Sequence, residues 1–211
     1  MIFKQINSGG DRNYSYLIGC EETKLAVVID PSPDPSIVLS EAESLELKIL
    51  YIINTHSHPD HTGGNRFFIK QTGAELVTFK NRGGDLEVED GAVVTIGKVS
   101  CEIIHTPGHT PDSLCILTGD NLVTGDTLFV GKVGGTYTEE EAKVEFESLK
   151  KLISLPGHLK VWPGHNYGTA PSSTIENEKK TNPFIMRLNK FEDFLWLKQN
   201  WASFKVEHGI K

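Results

Sequence analysis

One short run of residues with metal-binding side chains stands out in this sequence: Thr55-His56-Ser57-His58-Pro59-Asp60-His61. Three imidazoles and one carboxylate within six positions, directly after the apolar segment 49–53, are typical of a metal site. Because Pro59 cannot lie in the middle of a regular helix, we interpret the run as a loop that points its side chains toward one centre. The run contains no cysteine, which favours zinc, manganese or iron in a catalytic site over a structural zinc site.

Three more residues of metal-ligand type follow turns later in the chain: His109, Asp126 and His165. With the run above they make a set of candidate ligands, namely His56, His58, Asp60, His61, His109, Asp126 and His165. This set is too large for one tetrahedral ion, so we predict two divalent metal ions, with zinc favoured and iron or manganese as alternatives. Asp126 is the candidate for the carboxylate that both ions share.

Such a metal pair predicts hydrolytic chemistry. Two cations lower the pKa of a shared water from about 15.7 toward neutrality, which makes hydroxide available without a separate base. Asp60 is predicted to bind a metal and to orient this metal-bridging hydroxide, so it is the candidate catalytic residue. The hydroxide would attack an ester or thioester carbonyl, and a thiolate leaving group, with a pKa of about 8.5, needs little protonation. A small-molecule thioester therefore fits a site without an obvious general acid.

Hydrophobic periodicity and turn residues predict the elements that position these side chains. Strands are expected at about 2–6, 14–18, 25–29, 49–53, 75–79, 92–96, 99–105, 113–118, 121–124 and 160–162, and helices at about 37–45, 64–71 and 139–153. A loop is expected up to Asp90. Predicted strands lead into His56, His109, Asp126 and His165, and ligands gather at the carboxyl ends of strands in α/β sheets.

The C-terminal segment at about 172–211 is predicted to be helical. Leu188, Phe191 and Leu195 share one stripe, which predicts core packing or otherwise a substrate-pocket wall or a homodimer contact. With 38% hydrophobic residues among 211, the chain can form one core, so we predict a single domain over 1–211.

The amino-acid composition limits the binding partners and the cellular compartment that we expect for this protein. The net charge is −7 and no Lys/Arg cluster is present, which argues against a nucleic-acid partner. No apolar run is long enough for a signal peptide or a membrane span, so we expect a cytoplasmic protein without membrane contact. Cys20, Cys101 and Cys115 have no paired spacing and are expected to be buried and free.

Four segments together resemble the metallo-β-lactamase superfamily: 55–61, T-P-G-H-T at 106–110, T-G-D-T-L-F at 124–129 and P-G-H at 163–165. Segments 13–17, 162–167 and 181–184 resemble its glyoxalase II (hydroxyacylglutathione hydrolase) branch. The resemblance implies an α/β fold, a four-layer αββα sandwich with the metals at one edge. It also implies a partition of the ligands, with His56, His58 and His109 on one ion, Asp60, His61 and His165 on the other, and Asp126 bridging.

The same resemblance suggests substrate-binding residues. Tyr137 and Tyr167 match tyrosines that contact glutathione in the branch. The branch carries a Lys or Arg where this chain has Gly135, and Lys132 is a cation nearby. The expected substrate is a small, hydroxyacylglutathione-like thioester.

Three alternatives stay open. Persulfide dioxygenases also resemble this chain, and they hold one iron with two histidines and a carboxylate, which here would be His56, His109 and Asp126. The same metal pair would serve a lactonase or a hydrolase of another ester or a phosphodiester. A non-catalytic binder with a vestigial site is disfavoured, because every ligand type is present.

Overall fold

Two six-stranded β-sheets face each other in the computed structural model, which describes residues 1–210. The first sheet has the chain order β1 (Ile2–Gly9), β2 (Asn13–Gly19), β3 (Leu25–Ile29), β4 (Lys48–Ile53), β5 (Glu75–Phe79) and β6 (Leu86–Val88). The second sheet contains β7 (Val93–Ile96), β8 (Val99–His105), β9 (Leu114–Thr118) and β10 (Asn121–Gly125). A small hairpin follows, made of β11 (Leu128–Phe129) and β12 (Lys132–Val133), and the second sheet is then extended beside β10 by β13 (Lys160–Pro163) and β14 (Ser173–Thr174).

Helices cover the outer faces of both sheets. They are α1 (Pro35–Ser44), α3 (Asn65–Thr72), α4 (Glu139–Ile153), α5 (Ile175–Thr181) and α6 (Phe191–Glu207), with a 3₁₀ turn at Ile185–Arg187; the short helix α2 (Pro59–Thr62) lies between β4 and α3. Buried apolar side chains form three clusters. One lies between the first sheet and α1 and α3, one between the sheets, and one between the second sheet and α4 to α6. Three such spaces separate four layers, which confirms the αββα sandwich.

Most predicted elements agree with the structure. Strands β3, β5 and β8 and helix α4 have the predicted bounds. Helix α4 begins at Glu139 because Thr138 and Glu141 form a reciprocal capping box there. Three predictions were wrong or incomplete: the loop expected before Asp90 contains β6, the hairpin β11–β12 was not foreseen, and the C-terminal segment predicted to be helical from about 172 begins with strand β14. These strands have two or three residues, too few for alternation to be visible.

The C-terminal stripe is only partly as predicted. Leu188 lies before α6 and is buried, whereas Leu195 is half-buried and lines a cavity. The fully core-facing side chains of α6 are instead Phe194, Leu197 and Phe204. Phe191 packs against the same apolar cluster as Leu188, so core packing is confirmed for these two residues, and Leu195 lies on a cavity wall, the alternative that the sequence left open.

The direction of the strands brings the candidate ligands to one edge. Strands β8 and β10 both pair antiparallel with β9, and β10 pairs parallel with β13, so all three run the same way. In the first sheet, β3 and β4 are parallel. Backbone hydrogen bonds from Leu114 N to Thr55 O and from Tyr14 N to Gly164 O, both 2.8 Å, join the two sheets at this edge.

The structure also gives the state of the cysteines and the character of the helices. All three cysteines are buried and free, as predicted. Within residues 1–210, no helix combines the length and the apolar composition that a bilayer crossing requires.

Candidate metal centre

The predicted ligands converge at this edge in three overlapping groups, and within each group the donor atoms lie within 4.8 Å of one another: His56, His58 and His109; Asp60, His61 and His165; and His56, His61 and Asp126. In the first group, His58 Nδ1 lies 2.9 Å from His56 Nε2 and 3.1 Å from His109 Nε2. In the second, His61 Nε2 lies 3.2 Å from His165 Nε2. These first two groups have the composition that the family resemblance implies, and the third contains one histidine of each together with Asp126.

Asp126 lies between the two groups. Its carboxylate oxygens are 3.7 Å from His109 Nε2, 3.5 Å from His61 Nε2 and 3.4 Å from His165 Nε2. Within residues 1–210, its buried Oδ1 has no hydrogen-bond partner. Burying an ionised oxygen without a donor is costly unless a cation meets it. The residues therefore fit divalent metal ions, with Asp126 positioned to reach both groups.

The run 55–61 is not a simple loop, so that interpretation was wrong for its second half. Pro59 begins the four-residue helix α2, which carries Asp60 and His61. Proline is accepted at the first helical position, because the N–H that it lacks would have no helical partner there. His58 precedes the helix with extended backbone.

A buried aspartate that the sequence motifs did not reveal orients part of the centre. Asp30 is 1% exposed, and its carboxylate accepts hydrogen bonds from Thr55 N at 2.8 Å and Thr55 Oγ1 at 2.6 Å. The same carboxylate lies 2.9 Å from His61 Nδ1, and Thr55 Oγ1 lies 3.1 Å from His56 Nδ1. Such outer partners fix the ring and tautomer of a metal-binding histidine. Asp30 directly follows β3, so the strand-then-ligand pattern could have pointed to it.

Backbone carbonyls orient two more histidines. His109 Nδ1 donates to Gly135 O at 2.8 Å, and His165 Nδ1 donates to Asp11 O at 2.9 Å. These partners are 26 and 154 residues apart in the chain. No local motif could have predicted them, because packing alone brings them together.

Burial and neighbouring charges shift the pKa values of three side chains in the centre. Burial, reinforced by the neighbouring His61, lowers the pKa of His56 to about 2, so this imidazole keeps a free lone pair at neutral pH. Burial also lowers the pKa of His61, but the Asp30 carboxylate outweighs it and raises the value to about 9. Burial would raise the pKa of Asp126, but the hydrogen bond from His165 and the charge of His61 hold it well below its usual range. The Asp126 carboxylate therefore stays ionised beside the imidazoles of both ligand groups.

Two glycines allow the ligand-bearing turns to approach other atoms closely. A Cβ at Gly164 would lie 2.3 Å from Asp126 Oδ1 and 2.9 Å from His61 Cε1. Gly108 has a φ of +140°, and a Cβ there would lie 2.4 to 2.6 Å from Glu145 atoms. Packing thus requires the glycines of both P-G-H turns, and the positive φ also requires glycine at position 108.

The three suggested substrate residues are divided between two adjoining cavities that share Lys132 and Trp201. Tyr167 lines a cavity of about 370 Å³, and its ring stacks on the His165 ring at 4.6 Å and an angle of 3°. Lys132 Nζ lies 4.6 Å from the Tyr167 ring centre. Tyr137 lines the other cavity, of about 310 Å³, and is 91% exposed. Lys132 and Tyr167 thus lie together, and Tyr137 lies apart on the rim.

A buried ion pair supports the loop that orients His109. Lys198 of α6 pairs with the carboxylate of Glu145 of α4, which is 0% exposed, and Lys198 Nζ donates to Gly134 O at 2.9 Å. Gly134 precedes Gly135, whose carbonyl accepts from His109. Burial raises the pKa of Glu145 to about 7, although Lys198 opposes the shift. The pair therefore ties α4, α6 and this loop together.

Replacing Lys198 should destabilise the folded protein, because Glu145 would stay buried without a cationic partner. We expect Lys198→Met to lower the free energy of unfolding by about 3–5 kcal/mol at pH 8, because Glu145 is left buried and unpaired. The carboxyl of Glu145 has a pKa above its ordinary value in the folded chain, so its contribution to stability falls as pH rises from 4.5 to about 7. The deficit should accordingly be smaller at pH 5.5.

Urea unfolding at both pH values measures this effect. Adding Glu145→Gln to Lys198→Met should recover part of the loss at pH 8, since no charge is then buried. The exposed Lys179→Met provides a matched control without a buried partner. A Lys198→Met protein as stable as the parent at pH 8 would contradict the role of the pair.

Comparison with known proteins agrees with this geometry. The chain matches the family model of the metallo-beta-lactamase superfamily over residues 8–85 and 75–165. It is 41% identical over 171 residues to a hydroxyacylglutathione hydrolase of Rhodospirillum rubrum, a match that covers 77% of this chain and 65% of that protein. The chain thus spans about two thirds of the length of that relative.

Persulfide dioxygenases also match this chain, and the match covers a larger share of their length than of the Rhodospirillum rubrum hydrolase. The mitochondrial persulfide dioxygenase ETHE1 of Homo sapiens is 34% identical over 194 residues, covering 87% of this chain and 75% of that protein. The crystal structure of ETHE1 from Myxococcus xanthus superposes with a TM-score of 0.88 at 33% identity, over 95% of this chain and 91% of the other. The matched segments, the αββα layers and the convergent ligands agree, and the chain belongs to the metallo-beta-lactamase superfamily.

Proposed function

We propose that this protein is a metal-dependent hydrolase that cleaves a small thioester of the hydroxyacylglutathione type. The observation that carries the proposal is the convergence of two three-ligand groups on Asp126, a buried carboxylate whose Oδ1 has no donor within residues 1–210. The likeness to hydroxyacylglutathione hydrolases supports the thioester as the bond that is cleaved.

The ligand groups would hold two divalent ions, with zinc as the first candidate and iron or manganese as alternatives. Such ions lower the pKa of a coordinated water toward neutrality and polarise a carbonyl oxygen. The protein side chains would fix the positions of these two ions. Asp126 joins the two groups, and Asp30 holds the ring of His61 from behind. We assign no further general base to the site.

Asp60 is the residue that we propose to orient the attacking water. Its side chain is 45% exposed, in contrast to the nearby His61 and His165. Asn13 Nδ2 donates to Asp60 Oδ2 at 3.0 Å and so holds the carboxylate in one direction. An ionised carboxylate held at an open position can accept a hydrogen bond from water and align its lone pair with a carbonyl carbon.

A thioester fits this arrangement better than an amide does. A thiolate with a pKa of about 8.5 departs with little protonation, whereas an amine must be protonated as it leaves. Because no group in the proposed centre is assigned as a general acid, the substrate itself must provide a good leaving group.

Metal removal tests the proposal. We expect hydrolysis of S-lactoylglutathione, of a glutathione-free thioester, or of both, to disappear after chelation and to return when zinc, iron or manganese is added back. Metal content is measured in the same samples. If metal-loaded protein hydrolyses neither thioester, the proposal is wrong, and a lactone substrate is the next hydrolase assay.

A persulfide dioxygenase is the second candidate, and the coverage of the ETHE1 match favours it. His56, His109 and Asp126 would then hold one iron, and they lie together at this edge. Oxygen uptake with glutathione persulfide by iron-loaded protein distinguishes the two functions. Rapid uptake without thioester hydrolysis would support the dioxygenase, and hydrolysis without uptake would support the thioesterase.

A further inference from the structure

A short segment beside the proposed metal centre, Gly131–Gly135, is held from behind by the C-terminal helices. It contains strand β12 and ends at Gly135, whose carbonyl accepts the hydrogen bond of His109 Nδ1 at 2.8 Å. We call this segment the strap. Strand β12 and its partner β11 have only two residues each, and so short a hairpin is not stable without other contacts. The position of the strap therefore depends on the side chains that hold it.

Glu178 of α5 holds the first end of the strap. Its side chain is fully buried, and its Oε2 accepts hydrogen bonds from Gly131 N and Asn182 Nδ2, both at 2.9 Å. Asn182 Nδ2 also donates to Lys132 O at 3.2 Å. Within residues 1–210, the other carboxyl oxygen of Glu178, Oε1, has no hydrogen-bond partner. Burial of this polar group costs free energy, and the hydrogen bonds that it makes are strong because the interior has a low dielectric constant.

Lys198 of α6 holds the other end of the strap. Its Nζ donates to Gly134 O at 2.9 Å, and its ammonium is paired with the buried carboxylate of Glu145. Four of the five strap residues thus make a tertiary hydrogen bond. Three of these bonds come from the C-terminal segment, and the fourth, at Gly135, comes from His109.

The strap also packs directly on two turns that carry candidate ligands. A Cβ at Gly134 would overlap Asp126 O and would lie 3.1 Å from His109 Cβ, so no space is left between the strap and the metal centre. This packing prevents movement of the strap toward the centre. The hydrogen bonds from Glu178 and Lys198 oppose movement away from it. The carbonyl behind His109 is therefore fixed from both sides.

We propose that Glu178 is a positioning residue for His109, and that it acts through the strap to set the metal affinity of the group His56, His58 and His109. The carbonyl behind a metal-binding histidine fixes the direction and the tautomer of its ring. Without Glu178, the strap could move outward and Gly135 O would no longer hold Nδ1 in one place. The inference rests on the metal centre of the proposed function and not on the thioester, because His109 is also a candidate ligand for a persulfide dioxygenase.

Two substitutions of similar size at Glu178 test the proposal. Glu178→Met removes the acceptor for Gly131 N, whereas Glu178→Gln keeps an oxygen acceptor. Zinc affinity is measured by competition with a chromophoric chelator. We expect Glu178→Met to bind the zinc ion of the His109 group about tenfold more weakly, the lower end of the range for outer partners of a metal ligand, and Glu178→Gln to bind it like the parent. Glu176→Met makes the same change at an exposed position of α5 and should also bind like the parent.

Nuclear magnetic resonance of the imidazole N–H groups shows which histidine is affected. In zinc-loaded protein, the Nδ1–H signal of His109 is assigned by its loss in His109→Gln. In Glu178→Met, we expect this signal to shift and to exchange faster with water. The Nδ1–H signal of His165 should keep its parent position, because it donates to Asp11 O, outside the strap. Equal changes in both signals would indicate general loosening of the fold and would overturn the proposal, as would parent values of the zinc affinity and of the His109 signal.

A double variant keeps the test available if Glu178→Met does not fold. Glu178→Gln combined with Asn182→Asp retains acceptors for Gly131 N and Phe184 N and removes the donor to Lys132 O. We expect weaker zinc binding and a shifted His109 signal here too, to a smaller extent. Parent values of both in this variant would refute the role of the strap.

Thioester hydrolysis by the same samples separates this inference from the proposed function. Weaker zinc binding and a shifted His109 signal in Glu178→Met, in a protein whose parent hydrolyses no thioester, would keep the positioning role of Glu178 and reject the thioesterase. Hydrolysis by the parent, with parent values of zinc affinity and of the His109 signal in Glu178→Met, would keep the thioesterase and overturn the positioning role.

Discussion

Asp126→Ala is expected to lose most of its bound metal while the protein stays folded. The Asp126 carboxylate lies within 3.4 to 3.7 Å of imidazole nitrogens from both ligand groups, so its removal weakens both sites at once. Loss of an outer-shell partner alone costs about 10–100-fold in metal affinity. Loss of the shared ligand should cost at least about 100-fold, and hydrolysis should fall below detection.

Elemental analysis after dialysis against a defined free-metal concentration measures this effect. Asp120→Ala is the matched control, because its carboxylate is 76% exposed and lies in the β9–β10 turn, at the opposite end of β10 from Asp126. Circular dichroism reports whether the fold is kept. Full metal occupancy in Asp126→Ala would refute the bridging role, whereas half occupancy would show that one ligand group binds its ion without the shared carboxylate.

Asp60→Asn is expected to lose most of its turnover without unfolding. Asparagine keeps the size of the side chain but removes the charge, and its amide would bring a second NH₂ group toward Asn13 Nδ2, which now donates to Asp60 Oδ2 at 3.0 Å. The carboxylate would no longer orient the attacking water. We expect kcat to fall by about 100-fold or more, the usual size of a positioned acid–base group.

The variant is measured with its metal content, because Asp60 also belongs to the second ligand group. A fall in kcat at equal metal content supports the orienting role, and a fall that follows metal loss indicates a ligand role alone. Asp120→Asn controls for the change from carboxylate to amide. Unchanged turnover in fully loaded Asp60→Asn would show that the role assigned to Asp60 is wrong.

Much of the fold could be predicted from the sequence because its signals are local. Strand β4 follows from a short continuous apolar run, and helix α4 from helical periodicity and the capping residues at its start. The strands that were missed, β6, β11, β12 and β14, have too few residues to show a period, and they form because neighbouring strands offer them hydrogen-bond partners. The helix at Pro59 was misjudged because proline excludes the middle of a helix, not its first residue.

By itself, the sequence determined which side chains are the candidate metal ligands, because each lies in or beside a short turn motif that can be recognised without knowing its neighbours. Only the tertiary structure decided how they are held and what surrounds them. Asp30 is 31 positions from His61, and Glu145 is 53 positions from Lys198. Arg12 and Lys205 line one cavity although 193 positions separate them. Such contacts arise from layer packing and strand direction, which bring distant residues within a few ångströms, and local patterns carry no record of that distance.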